Sequence, residues 1–179
     1  LRADDIRDFV RRSGLDLEER DTLLYFSVHG TPVMYLDEGN RYDRYVEEQC
    51  RDIARLLGAS RYGVGFQNHT NRRIAWTQPD NEDRIREADE TRLVVVPISF
   101  MHEQSETLAE LDHELKELVE ELGKEFHRVP IPHGSARFIH FLGDLVSTLV
   151  SGPDAGPAPL SRCRCAPQEG VWCTNGHRD

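Results

Sequence analysis

Along this chain, short continuous apolar runs alternate with stretches whose apolar positions recur every three to four residues. The segment TLLYFSVHG (22–30) begins with such a run and reads as a buried strand. RYDRYVEEQCRDIARLLG (41–58) follows with helical periodicity. It places Tyr45, Cys50 or Ile53, and Leu56–Leu57 on one face, and Gly58 stops it. RYGVGFQN (61–68) predicts a second strand and DNEDRIREA (80–88) a short acidic helix. RLVVVPISF (92–100) is the strongest strand, a Val/Ile run of the kind that parallel sheets bury on both faces. The clearest helix is SETLAELDHELKELVEELG (105–123), where Leu108, Leu111, Leu115, Leu118 and Leu122 fall 3, 4, 3 and 4 apart and read as core. FHRVPIP (126–132) predicts a fourth strand, SARFIHFLGDLVSTLV (135–150) a final helix, and the first dozen residues a leading one.

Strands that alternate with helices specify an α/β fold: an open, mostly parallel four-stranded sheet flanked by helices, joined by right-handed crossovers. After Val150 the composition changes. SGPDAGPAP (151–159) reads as a linker, so residues 1–150 are expected to form the α/β domain and 151–179 a linker and cysteine-rich tail. There is no internal repeat.

Composition narrows the function. The 179 residues are 38% hydrophobic and 30% charged, as expected of a globular chain with a real core. Twenty-two basic side chains face 32 acidic ones, a formal charge of −10, which argues against nucleic acid as a partner. No apolar stretch approaches the roughly 20 residues that cross a bilayer. The first residues, LRADDIRDFVRRSG, lack the apolar core of a signal peptide and are too acidic for a transit peptide. Met34 and Met101 are the only methionines, so a natural start is expected upstream and the chain is expected to be part of a longer protein. Of four cysteines, Cys50 stands alone and Cys163, Cys165 and Cys173 crowd the C-terminus. The N-terminal pattern gives little reason for structural disulfides.

In open α/β sheets, ligands bind outside the carboxyl ends of the strands. Three segments bring unusual residues there: His29 after the first strand, QNHTNRR (67–73) after the second, and FMHEQSE (100–106) after the third. The long helix then stacks Glu106, Glu110, His113 or Glu114, and Glu117 along one stripe. Each has an ordinary reading: a hydrogen-bonded loop histidine, or a solvated acidic face. Together, an imidazole and several carboxylates at one edge suit proton uptake or a divalent cation.

Two longer segments carry a resemblance. FSVHGTPVMYLDEGNRYDRYVEEQCRDIA resembles the histidine motif of ferrochelatases, and VVVPISFMHEQSETLAELDHELKELVEELG their strand-to-helix signature containing ETLxELD. The order and spacing of the two also fit, and RFIHFLGDLV resembles the family's closing helix. The resemblance covers roughly residues 20–150 and implies the C-terminal half of an enzyme that inserts ferrous iron into a porphyrin, protoporphyrin or coproporphyrin, to make haem. Such a reaction needs acceptors for two pyrrole protons, ligands that replace the water of the metal, and a bent macrocycle. Matched by motif, His29 and Glu106 are the implied catalytic and metal-guiding pair, assigned jointly. Glu110 and the acids beyond it are the implied cation route. Trp76 falls where a porphyrin-stacking aromatic is expected, with a packed aromatic as the alternative. Many relatives read Asp-His where this chain reads Glu103-Gln104. The family packs two similar halves around the porphyrin, so the N-terminal half is the implied partner. Bacterial relatives imply a cytoplasmic location, and organellar ones leave a peripheral membrane contact open.

CRCAPQEGVWC resembles the tail of ferrochelatases that bind a 2Fe-2S cluster, implying Cys163, Cys165 and Cys173 as ligands. Cys50 as a fourth ligand, a zinc site completed by His177, and free thiols stay open. Two other functions also stay open: a non-catalytic tetrapyrrole-binding or iron-sensing module, and a chelatase acting on another tetrapyrrole.

Overall fold

The computed structural model describes residues 1–68 and 73–150. The expected cluster ligands Cys163, Cys165 and Cys173, the alternative ligand His177 and the linker at 151–159 lie outside the described residues. Four strands, β1 (Thr22–His29), β2 (Tyr62–Gln67), β3 (Arg92–Pro97) and β4 (Glu125–Arg128), form one sheet in the order β2-β1-β3-β4. All three pairings are parallel.

The pleat of β1 assigns its residues to two cores. Leu24, Phe26 and Val28, with Val94 and Val96 of β3, pack under α1 (Arg2–Arg12) and α3 (Tyr42–Leu57). Leu23, Tyr25, Leu93 and Val95 pack on the opposite face, under α4 (Asn81–Arg86), a π-helical segment (Glu106–Leu115) and α5 (Lys116–Glu121). Burial of each large apolar side chain here contributes roughly 1.5–3 kcal/mol. A five-residue helix, α2 (Val33–Asp37), follows β1, and α6 (Ala136–Val150) closes the described chain. None of its helices is long and apolar enough to cross a membrane.

Several expected boundaries shift for local reasons. The third strand ends at Pro97 rather than running to Phe100, and the fourth ends at Arg128 rather than Pro132. Proline has no N–H to donate, so Pro97, Pro130 and Pro132 interrupt the ladder. α3 turns Val46, Cys50, Ile53 and Ala54 inward and leaves Leu56 62% exposed, which corrects the expected Tyr45 and Leu56 face. Gly58, at φ 71°, ends the helix as expected.

The long helix differs most. Its first ten residues are π-helical, with an extra residue in each turn. Thr107, Leu111 and Leu115 are therefore buried at intervals of four, while Leu108 is 48% exposed and outside the core. Leu122 also reaches the surface.

Cys50 is fully buried in the α3 face, and burial pushes its thiol up to about 12. A thiol so placed packs as a small apolar core group. Cys50 is expected to resist iodoacetamide at pH 8 in the native chain and to react on unfolding, as read by mass spectrometry of the peptide that contains it. Labelling of the native chain would contradict this packing.

Candidate active site

The site is a consequence of strand order. From β1 the chain turns toward β2 through α3 on one face, and from β3 it turns toward β4 through the π-helix on the other. Neighbouring strands that send their connections to opposite faces leave a crevice at their carboxyl ends. His29 ends β1 on one side of it. Glu106 opens the π-helix that follows β3 on the other.

His29 is held through its backbone. Its N–H donates to Ser99 Oγ at 3.2 Å, and its carbonyl accepts from the Tyr42 hydroxyl at 3.0 Å. Tyr42 and Ser99 hydroxyls lie 2.7 Å apart and join α3 to the loop after β3. Burial raises the pKa of the Tyr42 phenol, against the bond to Ser99, and keeps it protonated. The His29 ring places Nδ1 2.7 Å from the Gly30 carbonyl. A carbonyl only accepts, so Nδ1 carries the proton and the lone pair of the neutral ring lies on Nε2. Phe100 meets the ring edge-on at 5.9 Å. Gly30 is required by proximity: a Cβ there would stand 2.0 Å from Asn68 Oδ1 and 2.7 Å from the Gln67 carbonyl.

Gln67 is paired with His29 in the β1–β2 register. Its side-chain Nε2 donates to Glu110 Oε2 at 3.0 Å and to the Glu106 carbonyl at 2.9 Å. The Ser105 hydroxyl donates to Glu106 Oε2 at 2.7 Å. A cleft of about 840 Å³ opens beside these groups, lined among others by Gln67, Ile74, Trp76, Asp80, Glu110 and Glu114. Trp76 is half-buried and bridges through its backbone to Pro32, just after His29. Glu110 and Trp76 therefore share one cleft, whose lining does not include His29 or Glu106. Among the described residues, no three His, Cys, Asp or Glu side chains are grouped closely enough to hold a metal ion.

The π-helix is fixed from its other side by Arg128 at the end of β4. The guanidinium binds Asp112 through two nitrogens, with Nη2 2.7 Å from Oδ2, and reaches Glu103 with Nη1 3.0 Å from Oε1. The Ile131 N–H also donates to Glu103 Oε1 at 3.0 Å. Burial opposes the Glu103 carboxylate, but the Ile131 N–H, Thr107 and Arg128 outweigh it and hold its pKa below the ordinary value. Glu103 thus anchors the loop before Glu106. Gln67 was noted from the sequence only as the first residue of QNHTNRR, with no role assigned to it, and Arg128 was not singled out. Their signal was weak: a polar residue closing one strand, and a basic residue closing another.

The chain matches the ferrochelatase family model over residues 2–149. It belongs to the ferrochelatase family. A ferrochelatase of Synechococcus elongatus is 41% identical over 136 residues, covering 73% of this chain and 35% of that protein. One of Picosynechococcus sp. is 39% identical over 162 residues, covering 85% of this chain and 42% of its own length. This ferrochelatase-family chain therefore spans less than half of the curated relatives it matches. Among solved structures, a protein described as a cobalamin (vitamin B12) biosynthesis CbiX protein, from Marinobacter aquaeolei, aligns at a TM-score of 0.47 with 11% identity. That alignment covers 73% of this chain and 98% of the other.

The Glu103 carboxyl has a lower pKa folded than unfolded. Its clamp therefore contributes in full above about 4.5, the ordinary value, and is lost below it as pH falls through the depressed folded value. Glu103→Gln is expected to flatten the acid side of a Tm-against-pH curve between about pH 5 and 3. Arg128→Met, which strands two carboxylates, is expected to cost about 2–4 kcal/mol at neutral pH by urea unfolding. An unchanged acid limb in Glu103→Gln would remove the clamp from the account.

Proposed function

We propose that this chain is the C-terminal half of a ferrochelatase and supplies the histidine and carboxylate side of a porphyrin cleft where ferrous iron enters the macrocycle. The observation that supports this reading is that His29 ends β1 and that Glu106 opens the π-helix following β3, its neighbour in the sheet. On this reading iron is a substrate and approaches along Glu110 and Glu106. The imidazole Nε2 of His29 accepts a pyrrole proton, because Nδ1–H is committed to the Gly30 carbonyl. Which of His29 and Glu106 guides metal and which takes the second proton is left to the pair jointly. Trp76, on the cleft wall beside Ile74, is assigned a porphyrin contact. The exposed apolar side chains of Met34, Met101 and Leu108, on segments around the crevice, suit a flat apolar ring.

The partner on this reading is the N-terminal half of the same enzyme. Supporting it, α6 is apolar yet leaves Ile139 56%, Phe141 45% and Val146 56% exposed. The implied compartment is the cytoplasm, with a peripheral membrane surface as the alternative. The reading assigns a 2Fe-2S cluster to Cys163, Cys165 and Cys173, completed by a fourth ligand. A half-chelatase that binds tetrapyrrole without inserting metal is the second reading.

The deciding experiment follows the Soret spectrum of the ferrochelatase containing this chain, mixed anaerobically with ferrous iron and protoporphyrin, beside His29→Ala. The parent is expected to form haem, and His29→Ala to lose about 10²–10⁴-fold in rate while still shifting the porphyrin spectrum. A porphyrin shift with no metal insertion by either protein would replace the enzyme with the binding module.

A further inference from the structure

Four polar side chains penetrate the sheet face beneath α4 and the π-helix. Tyr25 and Ser27 have no exposure, Asn81 has 5% and Gln67 has 6%. A buried hydroxyl or amide without a partner is costly, and these four satisfy one another in series. The Tyr25 hydroxyl donates to Asn81 Oδ1 at 2.9 Å, and Asn81 Nδ2 donates to Ser27 Oγ at 2.8 Å. The Ser27 hydroxyl then donates to Gln67 Oε1 at 3.1 Å. Gln67 Nε2 ends the series on Glu110 Oε2 and the Glu106 carbonyl.

The series has one direction. The Tyr25 phenol, kept protonated by burial, faces the Asn81 backbone carbonyl at 3.4 Å as well as Oδ1, and a carbonyl only accepts, so Tyr25 enters as an O–H donor. With its oxygen taken, Asn81 offers only its NH2 to Ser27. Ser27 accepts that bond and turns its single proton toward Gln67. Gln67 is then left with only its NH2 to face the π-helix, because a flipped amide would set oxygen against the Glu110 carboxylate and the Glu106 carbonyl. Room for the series comes from Gly65, where a Cβ would stand 1.9 Å from the Tyr25 hydroxyl and 2.7 Å from Asn81 Oδ1.

We propose that Gln67 is a positioning residue for the metal substrate, its amide locked by Ser27, Asn81 and Tyr25 so that its two donors fix the Glu110 carboxylate and the first π-helical turn. The inference rests on the chelatase reading of the site. The Gln67 amide donors are spent on Glu110 and the Glu106 carbonyl. Gln67 acts through Glu110, so its loss falls on iron and not on the macrocycle.

The test is steady-state haem formation by the ferrochelatase containing this chain, with ferrous iron and protoporphyrin varied separately. Gln67→Met keeps the volume and removes the donor. It is expected to raise KM for iron about tenfold, with kcat and KM for porphyrin within about twofold of the parent. Ser27→Ala does not contact Glu110 but frees the Gln67 amide, and is expected to raise the same parameter less. A purely structural role would lower kcat or raise both KM values together, and either result overturns the proposal. An active parent with an unchanged iron KM in Gln67→Met overturns this inference alone. A parent that forms no haem overturns the chelatase reading and this inference with it. Melting curves show whether each variant is folded, and if Gln67→Met is not, Ser27→Ala decides.

Discussion

The architecture depends on β1 lying between two parallel neighbours. Hydrogen bonded to β2 and β3 on its two edges and covered on both faces, β1 has no free surface along its length. Only its carboxyl end emerges, and there the chain places His29. Because β2 and β3 flank it, Gln67 at the end of β2 stands opposite the histidine, and Pro97 at the end of β3 stands opposite Ser27. The crevice is therefore a property of strand order before it is a property of any side chain.

On that frame two sets of polar contacts fix the π-helix from opposite sides. Gln67 holds the first turn and Glu110 from β2, while Arg128 holds Asp112 and the preceding Glu103 from β4. The π-helical pitch has a cost in hydrogen-bond geometry and is uncommon, so it persists where tertiary contacts over-determine it. Thr107, Leu111 and Leu115 supply the apolar part of that determination, and the two clamps supply the polar part.

Much of this was legible in the residues. The Val/Ile runs gave the buried strands, because a strand covered on both faces needs no polar alternation. His29 and Glu106 were expected as a pair from the resemblance of their segments to ferrochelatase motifs, since each residue alone has an ordinary reading. The π-helical segment was not legible, since Leu108, Leu111, Leu115 and Leu118 fit an ordinary helix equally well and only packing reveals the wider turn. Nor were the roles of Gln67 and Arg128, which lie in partners 39 and 16 residues away in sequence. Tyr25 and Ser27 hid inside an apolar run, where their hydroxyls read as incidental.

The apolar surface of α6 has a thermodynamic consequence. Any surface that covers Ile139, Phe141 and Val146 binds the folded chain and not the unfolded one, so by mass action it adds to the stability of the fold in proportion to the logarithm of its concentration over its Kd. A covering surface carried on the same polypeptide would be present at millimolar effective concentration, whereas a separate molecule would have to compete with dilution. The persistence of this fold is thus coupled to whether the cover is tethered, and assembly and stability are two readings of a single equilibrium.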